Sequence, residues 1–154
     1  METTYYKSPI GYLKISASEK GISEINFTKK KTNNKKPTST ILIQCLKELD
    51  EYFTGKKQQF TVSLDVSGTV FQKKVWKQLE KIPYGKTLAY SDIAKRVKNP
   101  KACRAVGMAN NKNKIAIIIP CHRVIGKAGN LVGYASGLKH KEWLLKHENT
   151  FTIM

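Results

Sequence analysis

Three cysteines, Cys45, Cys103 and Cys121, stand in 154 residues, and no two form a Cys-x-x-Cys pair. They are too few and too scattered for a disulfide framework. His122, His140 and His147 do not complete a zinc-ligand spacing with them, so no metal site is expected. The thiols are therefore expected to be reduced, and at least one needs an explanation in packing or chemistry. No apolar run approaches the roughly eighteen residues of a membrane span. The opening Met1-Glu2-Thr3-Thr4-Tyr5-Tyr6 lacks the basic and apolar regions of a signal peptide. A cytoplasmic chain without a membrane partner is the expectation. No glycine-rich phosphate loop announces a nucleotide, so no cofactor is expected.

Acidic residues are the other scarcity. Eleven Asp and Glu face 28 Lys and Arg, a net charge of +17. The excess is uneven: residues 1–68 hold 11 basic and 7 acidic residues, whereas 69–154 hold 17 and 4. A chain of this balance suits a polyanionic partner, bound through phosphate contacts and counterion release. The second half is where such a partner is expected.

Along the chain, Ile10, Tyr12 and Ile15 and then Ile22, Ile25 and Phe27 alternate as strands do. Residues 29–36 are lysine-rich, without apolar side chains, and read as a solvated loop. Ser39 or Thr40 can cap a helix with Ile41, Leu42, Cys45, Leu46, Leu49 and Phe53 on one face and Gly55 at its end. A short strand is expected near 60–64. The stretch Asp65-Val66-Ser67-Gly68 reads as a junction, giving an N-terminal domain 1–66 and a C-terminal domain 67–154.

Thr69 and Gln72 have the spacing of a capping box, and Phe71, Val75, Leu79 and Ile82 continue at helical period. A helix from Tyr90 or Ser91 to about Val97, and another opened by Asn99-Pro100, read as a helix-turn-helix. The second helix carries Ala102, Ala105, Gly107 and Ala109 around Arg104. An interior helical glycine costs about 1 kcal/mol relative to alanine, which implies close approach, either to a nucleic-acid groove or to a neighbouring helix. Ile115–Ile119 reads as a buried extended run, ended by Pro120. Gly126, Gly129 and Gly133 form a loop before a last helix over about 137–148.

Cys121 ends that apolar run and is followed by His122 and Arg123. A thiol becomes a nucleophile as thiolate, with a base or positive charge nearby. His122 can serve as the base and would need a carboxylate to fix its tautomer. Glu80, Asp92, Glu142 and Glu148 are the candidates, and spacing does not choose among them.

The run Ile119-Pro120-Cys121-His122-Arg123-Val124-Ile125-Gly126 resembles the active-site signature of the O6-alkylguanine-DNA alkyltransferases, the methylated-DNA–protein-cysteine methyltransferases. Phe71-Gln72, Val75-Trp76, Ile82-Pro83-Tyr84-Gly85, Arg104-Ala105-Val106-Gly107, Gly133-Tyr134 and Lys141-Glu142-Trp143-Leu144-Leu145 extend the resemblance from about 65 to 148. It implies an α+β fold: a small ribonuclease-H-like N-terminal domain packed on a mostly helical C-terminal domain with a winged helix-turn-helix. It implies repair of O6-alkylguanine, with O4-alkylthymine as a further substrate, by one stoichiometric transfer to Cys121 from a flipped base. The partner implied is double-stranded DNA, held through its minor groove by a monomer.

By the same resemblance, His122 deprotonates Cys121 through a water and Glu148 orients His122. Asn113 braces the active-site loop. Tyr90 stacks near the guanine and protonates its O6. Arg104 enters the duplex, with Ala105, Gly107 and Arg123 also at the DNA. Backbone at Cys121 and Val124 reads the guanine amino group, and Tyr134, Ala135 and Ser136 border the alkyl pocket. Three residues depart from the family pattern. Lys114 stands where proline is frequent after Asn113, Ala89 where a serine often precedes Tyr90, and Ser136 where glycine is frequent. Two rival readings are a non-catalytic sensor of alkylated DNA, which lacks the acceptor cysteine, and a cysteine hydrolase, which regenerates its thiol.

Overall fold

The computed structural model describes residues 1–29 and 36–151, so most of the lysine-rich 29–36 reading lies outside the described residues. These residues fall into two compact units, Met1–Ser67 and Gly68–Met154.

In the first unit, β1 (Glu2–Ser8), β2 (Gly11–Ala17) and β3 (Ile22–Thr28) form an antiparallel sheet in the order β1-β2-β3. Leu13, Ile15 and Ala17 alternate to one face of β2, and all are buried. Helix α1 (Thr40–Phe53) is capped by Ser39, whose hydroxyl accepts from Leu42 N, an interaction worth about 1 kcal/mol. It buries Leu42, Cys45, Leu49 and Tyr52. Gly55 follows its end at φ +79°, a conformation glycine adopts without strain. The strand expected near 60–64 is not formed. Thr61 and Val62 instead give their N–H groups to the Glu48 carboxylate, and only Leu64 bridges Ile22. Ile22 N donates to Ser63 O at 2.8 Å beside Gly21, where an added Cβ would lie 2.5 Å from Ser63 O.

In the second unit, α2 (Val70–Glu80) starts on the capping box: Gln72 N donates to Thr69 Oγ1 and Thr69 N to Gln72 Oε1, both at 3.0 Å. Its Val75, Trp76 and Leu79 are buried, and Trp76 Nε1 donates to Ala109 O at 2.8 Å. The two-residue strands β4 (Leu88–Ala89) and β5 (Val124–Ile125) pair in parallel. This short pair sets the first residue of α3 (Tyr90–Arg96) beside the chain that leaves Cys121. Ala89 offers no capping side chain. Asp92 reaches back to Ala89 N at 2.8 Å, which supplies half of a capping box.

Helix α4 runs Cys103–Asn111, later than the Asn99-Pro100 start expected. Lys98, at φ +61°, reverses the chain, and Asn99 O is taken by Ala102 N in a turn. The run 115–119 is buried as expected but turned rather than extended. Ile117 has φ +72°, Ile118 N donates to Ala116 O, and Ile119 N to Ile115 O. A β-branched residue at positive φ is strained and persists only where its surroundings hold it. Asn113 does the holding: Nδ2 donates to Ile119 O at 2.7 Å, while Oδ1 accepts from Ile115 N at 3.0 Å. Cys121–Arg123 then forms a single 3₁₀ turn, and α5 (Leu138–Phe151) closes the unit. Among the described residues no helix is long and apolar enough to cross a membrane.

Candidate active site

Cys121 opens the 3₁₀ turn and is buried, with 6% of its surface exposed. Its N–H donates to Ile119 O at 2.8 Å, and its carbonyl accepts from Asn110 Nδ2 at 3.3 Å. Burial pushes the thiol up. Asn113, the Lys141 charge, the residue's own N–H and Tyr134 all pull in the opposite direction.

His122 is fully buried, and its Nε2 lies 2.6 Å from Glu148 Oε2. Of the four acidic candidates, Glu148 is the one that meets the histidine. Burial alone would raise its carboxyl. Charge and hydrogen bonds from His122 and Arg123 outweigh that and hold it well below the usual carboxylate range. Burial also lowers His122, against the opposing pull of Glu148, so the ring is neutral near pH 7. An ionised carboxylate only accepts, so Nε2 carries the ring hydrogen and Nδ1 keeps its lone pair. Nδ1 is buried without a hydrogen-bond partner among the described residues. A neutral base with an open acceptor thus follows Cys121 in sequence.

Arg123, expected at the DNA, is turned into the protein instead. It is buried, with Nε 2.8 Å from Glu148 Oε1, Nη2 3.0 Å from Oε2 and Nη1 2.7 Å from Ile82 O. Its guanidinium lies over the Tyr84 ring, 5.7 Å from the centroid. Gly85 N adds a fourth donor to Glu148 at 3.4 Å. A buried carboxylate with a bidentate guanidinium and an imidazole is well compensated; removing one partner of such a pair costs about 3–5 kcal/mol.

On the other side of the thiol, the Tyr90 hydroxyl donates to Val132 O at 2.9 Å. The Tyr134 hydroxyl is buried beside Cys121 without a conventional hydrogen bond among the described residues, and burial and the thiol hold it well above the usual phenol range. Ala135 and Ser136 are exposed, and Ser136 Oγ is 2.8 Å from His140 Nδ1. Val124 is buried, and its carbonyl accepts from Lys141 Nζ. The Cys121 carbonyl also accepts from the Val124 N–H that closes the 3₁₀ turn.

Helix α4 exposes Arg104, Ala105 and Met108. A Cβ added at Gly107 would meet nothing within 4 Å. Packing against a neighbouring helix therefore does not account for this glycine.

A family model described as "6-O-methylguanine DNA methyltransferase, DNA binding domain" matches residues 70–150. A second, its "ribonuclease-like domain", matches residues 1–66. The chain belongs to the 6-O-methylguanine DNA methyltransferase family. It is 49% identical over 150 residues to a methylated-DNA–protein-cysteine methyltransferase of Methanosarcina acetivorans, covering 94% of this chain and 96% of that one. The fold is similar to Mycobacterium tuberculosis O6-methylguanine methyltransferase, with TM-score 0.88, 38% identity and 99% and 94% of the two chains covered. It is equally similar to a complex of the M. tuberculosis protein with DNA, with TM-score 0.89, 39% identity and 98% and 94% covered.

Within this family fold, two residues escaped the sequence reading. Lys141 is fully buried and bonded to three carbonyls, and Asn110 is buried with its amide on Cys121 O. Lys141 had a signal. It falls on the stripe of Leu144 and Glu148, where a lysine on the buried face of a helix is out of place. Asn110 had none, because an asparagine near a helix end is ordinary.

Proposed function

We propose that this methyltransferase-family protein repairs O6-alkylguanine in double-stranded DNA by moving the alkyl group to Cys121, once per molecule. The observation that carries the reading is the neutral, Glu148-held His122 with an open Nδ1, next in sequence to a buried thiol. His122 takes the thiol proton, directly or through a water, and its positive charge is stabilised by Glu148. The sulfur electron pair then forms a bond to the alkyl carbon. The carbon–oxygen bond breaks, its pair moves to guanine O6, and the Tyr90 hydroxyl supplies the proton the base needs. Tyr90 is near the thiol, which together with burial raises its phenol.

The damaged atom lies inside the base stack, so the nucleotide is flipped out at a cost of a few kcal/mol. Arg104 fills the gap from the exposed face of α4, and Ala105 and Gly107 allow that face to lie close in the minor groove. Asn113 supports the turn that carries the thiol. Val124, Tyr134, Ala135 and Ser136 border the alkyl group, and O4-alkylthymine is a second, smaller-ring substrate of the same site. The protein acts as a monomer and needs no cofactor, since the thiol itself keeps the alkyl group. The product is a thioether, which water does not cleave. Titration of a methylated duplex with protein tests the reading. Loss of O6-methylguanine should rise with protein to one equivalent and stop. Binding without loss of the lesion would indicate a sensor, and continued loss would indicate a turnover enzyme.

A further inference from the structure

Helix α2 packs on α4 through its inward side. Val75, Trp76 and Leu79 are buried there, and the Trp76 indole donates to Ala109 O on the inward side of α4. On α4 itself Val106, Ala109 and Asn110 are buried, whereas Arg104 and Met108 are exposed. The outward sides of these two helices therefore face away from each other.

The outward side of α2 is a ridge of lysines. Lys74, Lys77 and Lys81 recur at the three- and four-residue steps that share a helix face, with Lys73 at their flank, and all four are exposed. None of the four is in an ion pair among the described residues. Glu80, the single acidic residue of the helix, feels the Lys77 charge without pairing with it. Lys77 and Lys81 suit the negative end of the helix dipole, but Lys73 and Lys74 lie toward its positive end, where the first turn holds no acidic residue. Like charges three and four residues apart also repel along the face they share. Helix stability thus gives no reason for this ridge. An exposed row of ammonium groups at one-turn spacing is complementary to a phosphate backbone.

We propose that the α2 ridge is a second DNA-binding surface, which takes the phosphates of another duplex segment while α4 holds the first. The molecule then passes from one segment to the next without being released. The proposal rests on a duplex being seated on α4. Lysines on an open face contact backbone and read no bases, so the second segment needs neither a lesion nor a particular sequence.

The test chases a labelled, undamaged duplex from the protein with rising concentrations of the same duplex unlabelled, and follows its dissociation rate. Direct transfer makes the rate rise several-fold with chase concentration, and salt suppresses the rise. With Lys73→Gln, Lys74→Gln, Lys77→Gln and Lys81→Gln combined, the rate should be flat, while affinity for one short duplex stays near wild type. Arginine at the same four positions should restore the rise. A flat rate in wild type, a rise that survives in the glutamine variant, or one that the arginines do not restore overturns the proposal. A glutamine variant that loses affinity for one short duplex as fully as it loses transfer also overturns it, because the ridge then belongs to the α4 interface. Acceleration by polyglutamate but not by duplex overturns it too, and makes the ridge a surface for an acidic protein. No arm uses alkylated DNA, so a failure to remove alkyl groups would count against the proposed function alone.

Discussion

Each of the two units buries one cysteine and one glutamate, and the two pairs are built for different ends. In the first, Glu48 accepts from the neutral donors Thr61 N, Val62 N, Thr61 Oγ1 and Gln44 Nε2, with Lys57 Nζ at the edge of ion-pair range, 4.0 Å away. Cys45, one turn earlier on α1, is pushed up to about 12 by burial and then by the Glu48 charge. That thiol is a core side chain. In the second unit, Glu148 meets the titratable His122 and Arg123, and the thiol senses the Lys141 ammonium rather than a carboxylate. The same two residue types give a clasp in one place and the proposed nucleophile in the other, and the difference is what stands beside them.

Replacing either cysteine should have opposite consequences. Cys121→Ser should reduce alkyl transfer to background while DNA binding persists, because an unactivated hydroxyl is a far poorer nucleophile than a thiolate. Cys45→Ala should leave transfer intact and alter only stability. A gel assay of methylated duplex with each variant checks both.

Replacing either glutamate sharpens the contrast. Glu148→Gln should slow transfer by about 10²–10⁴-fold, the usual worth of a general base. It should also destabilise by about 3–5 kcal/mol, since Arg123 is left buried without its anion. Glu48→Gln should cost about 1–3 kcal/mol with the transfer rate per folded molecule unchanged. Single-turnover kinetics beside denaturant titration separates the two effects.

Acidity distinguishes the units in sequence. His122 has a folded pKa below its ordinary value of about 6.5, so its stabilising effect is complete above about 6.5 and declines as pH falls below it. Glu48 and Glu148 are both depressed, and their contributions persist until pH falls below about 4.3. Melting temperature against pH should therefore show an early decline between about 6.5 and 4.5 that a His122→Gln variant lacks. An identical decline in that variant would separate the histidine from stability.

The smallest effect is expected on α4. Gly107→Ala meets no protein atom, so stability should be unchanged or rise by up to about 1 kcal/mol, while duplex affinity falls. Unchanged affinity would remove the close-approach reading of this helix.

The thiol half was legible because a local run, Pro120-Cys121-His122-Arg123-Val124, carries its chemistry in sequence order, and because amphipathic spacing and the Thr69–Gln72 capping box mark their helices. What sequence order could not convey was convergence. Glu148 is joined to His122 only by folding, and Arg123 next to it was expected at the DNA but turns inward to the same carboxylate. The strand β1 was hidden because Thr4 and Ser8 fill its inward positions with polar side chains. The 115–119 run looked extended because β-branched residues favour strands. The Asn113 side chain supplies the hydrogen bonds a partner strand would have given and folds it into a turn.

The central claim is that an imidazole relay makes Cys121 reactive despite its burial, whereas burial beside a carboxylate silences Cys45. Peptide mapping by mass spectrometry after incubation with a methylated duplex tests it most directly. One methyl group per molecule, on Cys121, is the predicted result. A methyl group on Cys45 or Cys103, or lesions removed in excess of protein with Cys121 unmodified, would contradict the account.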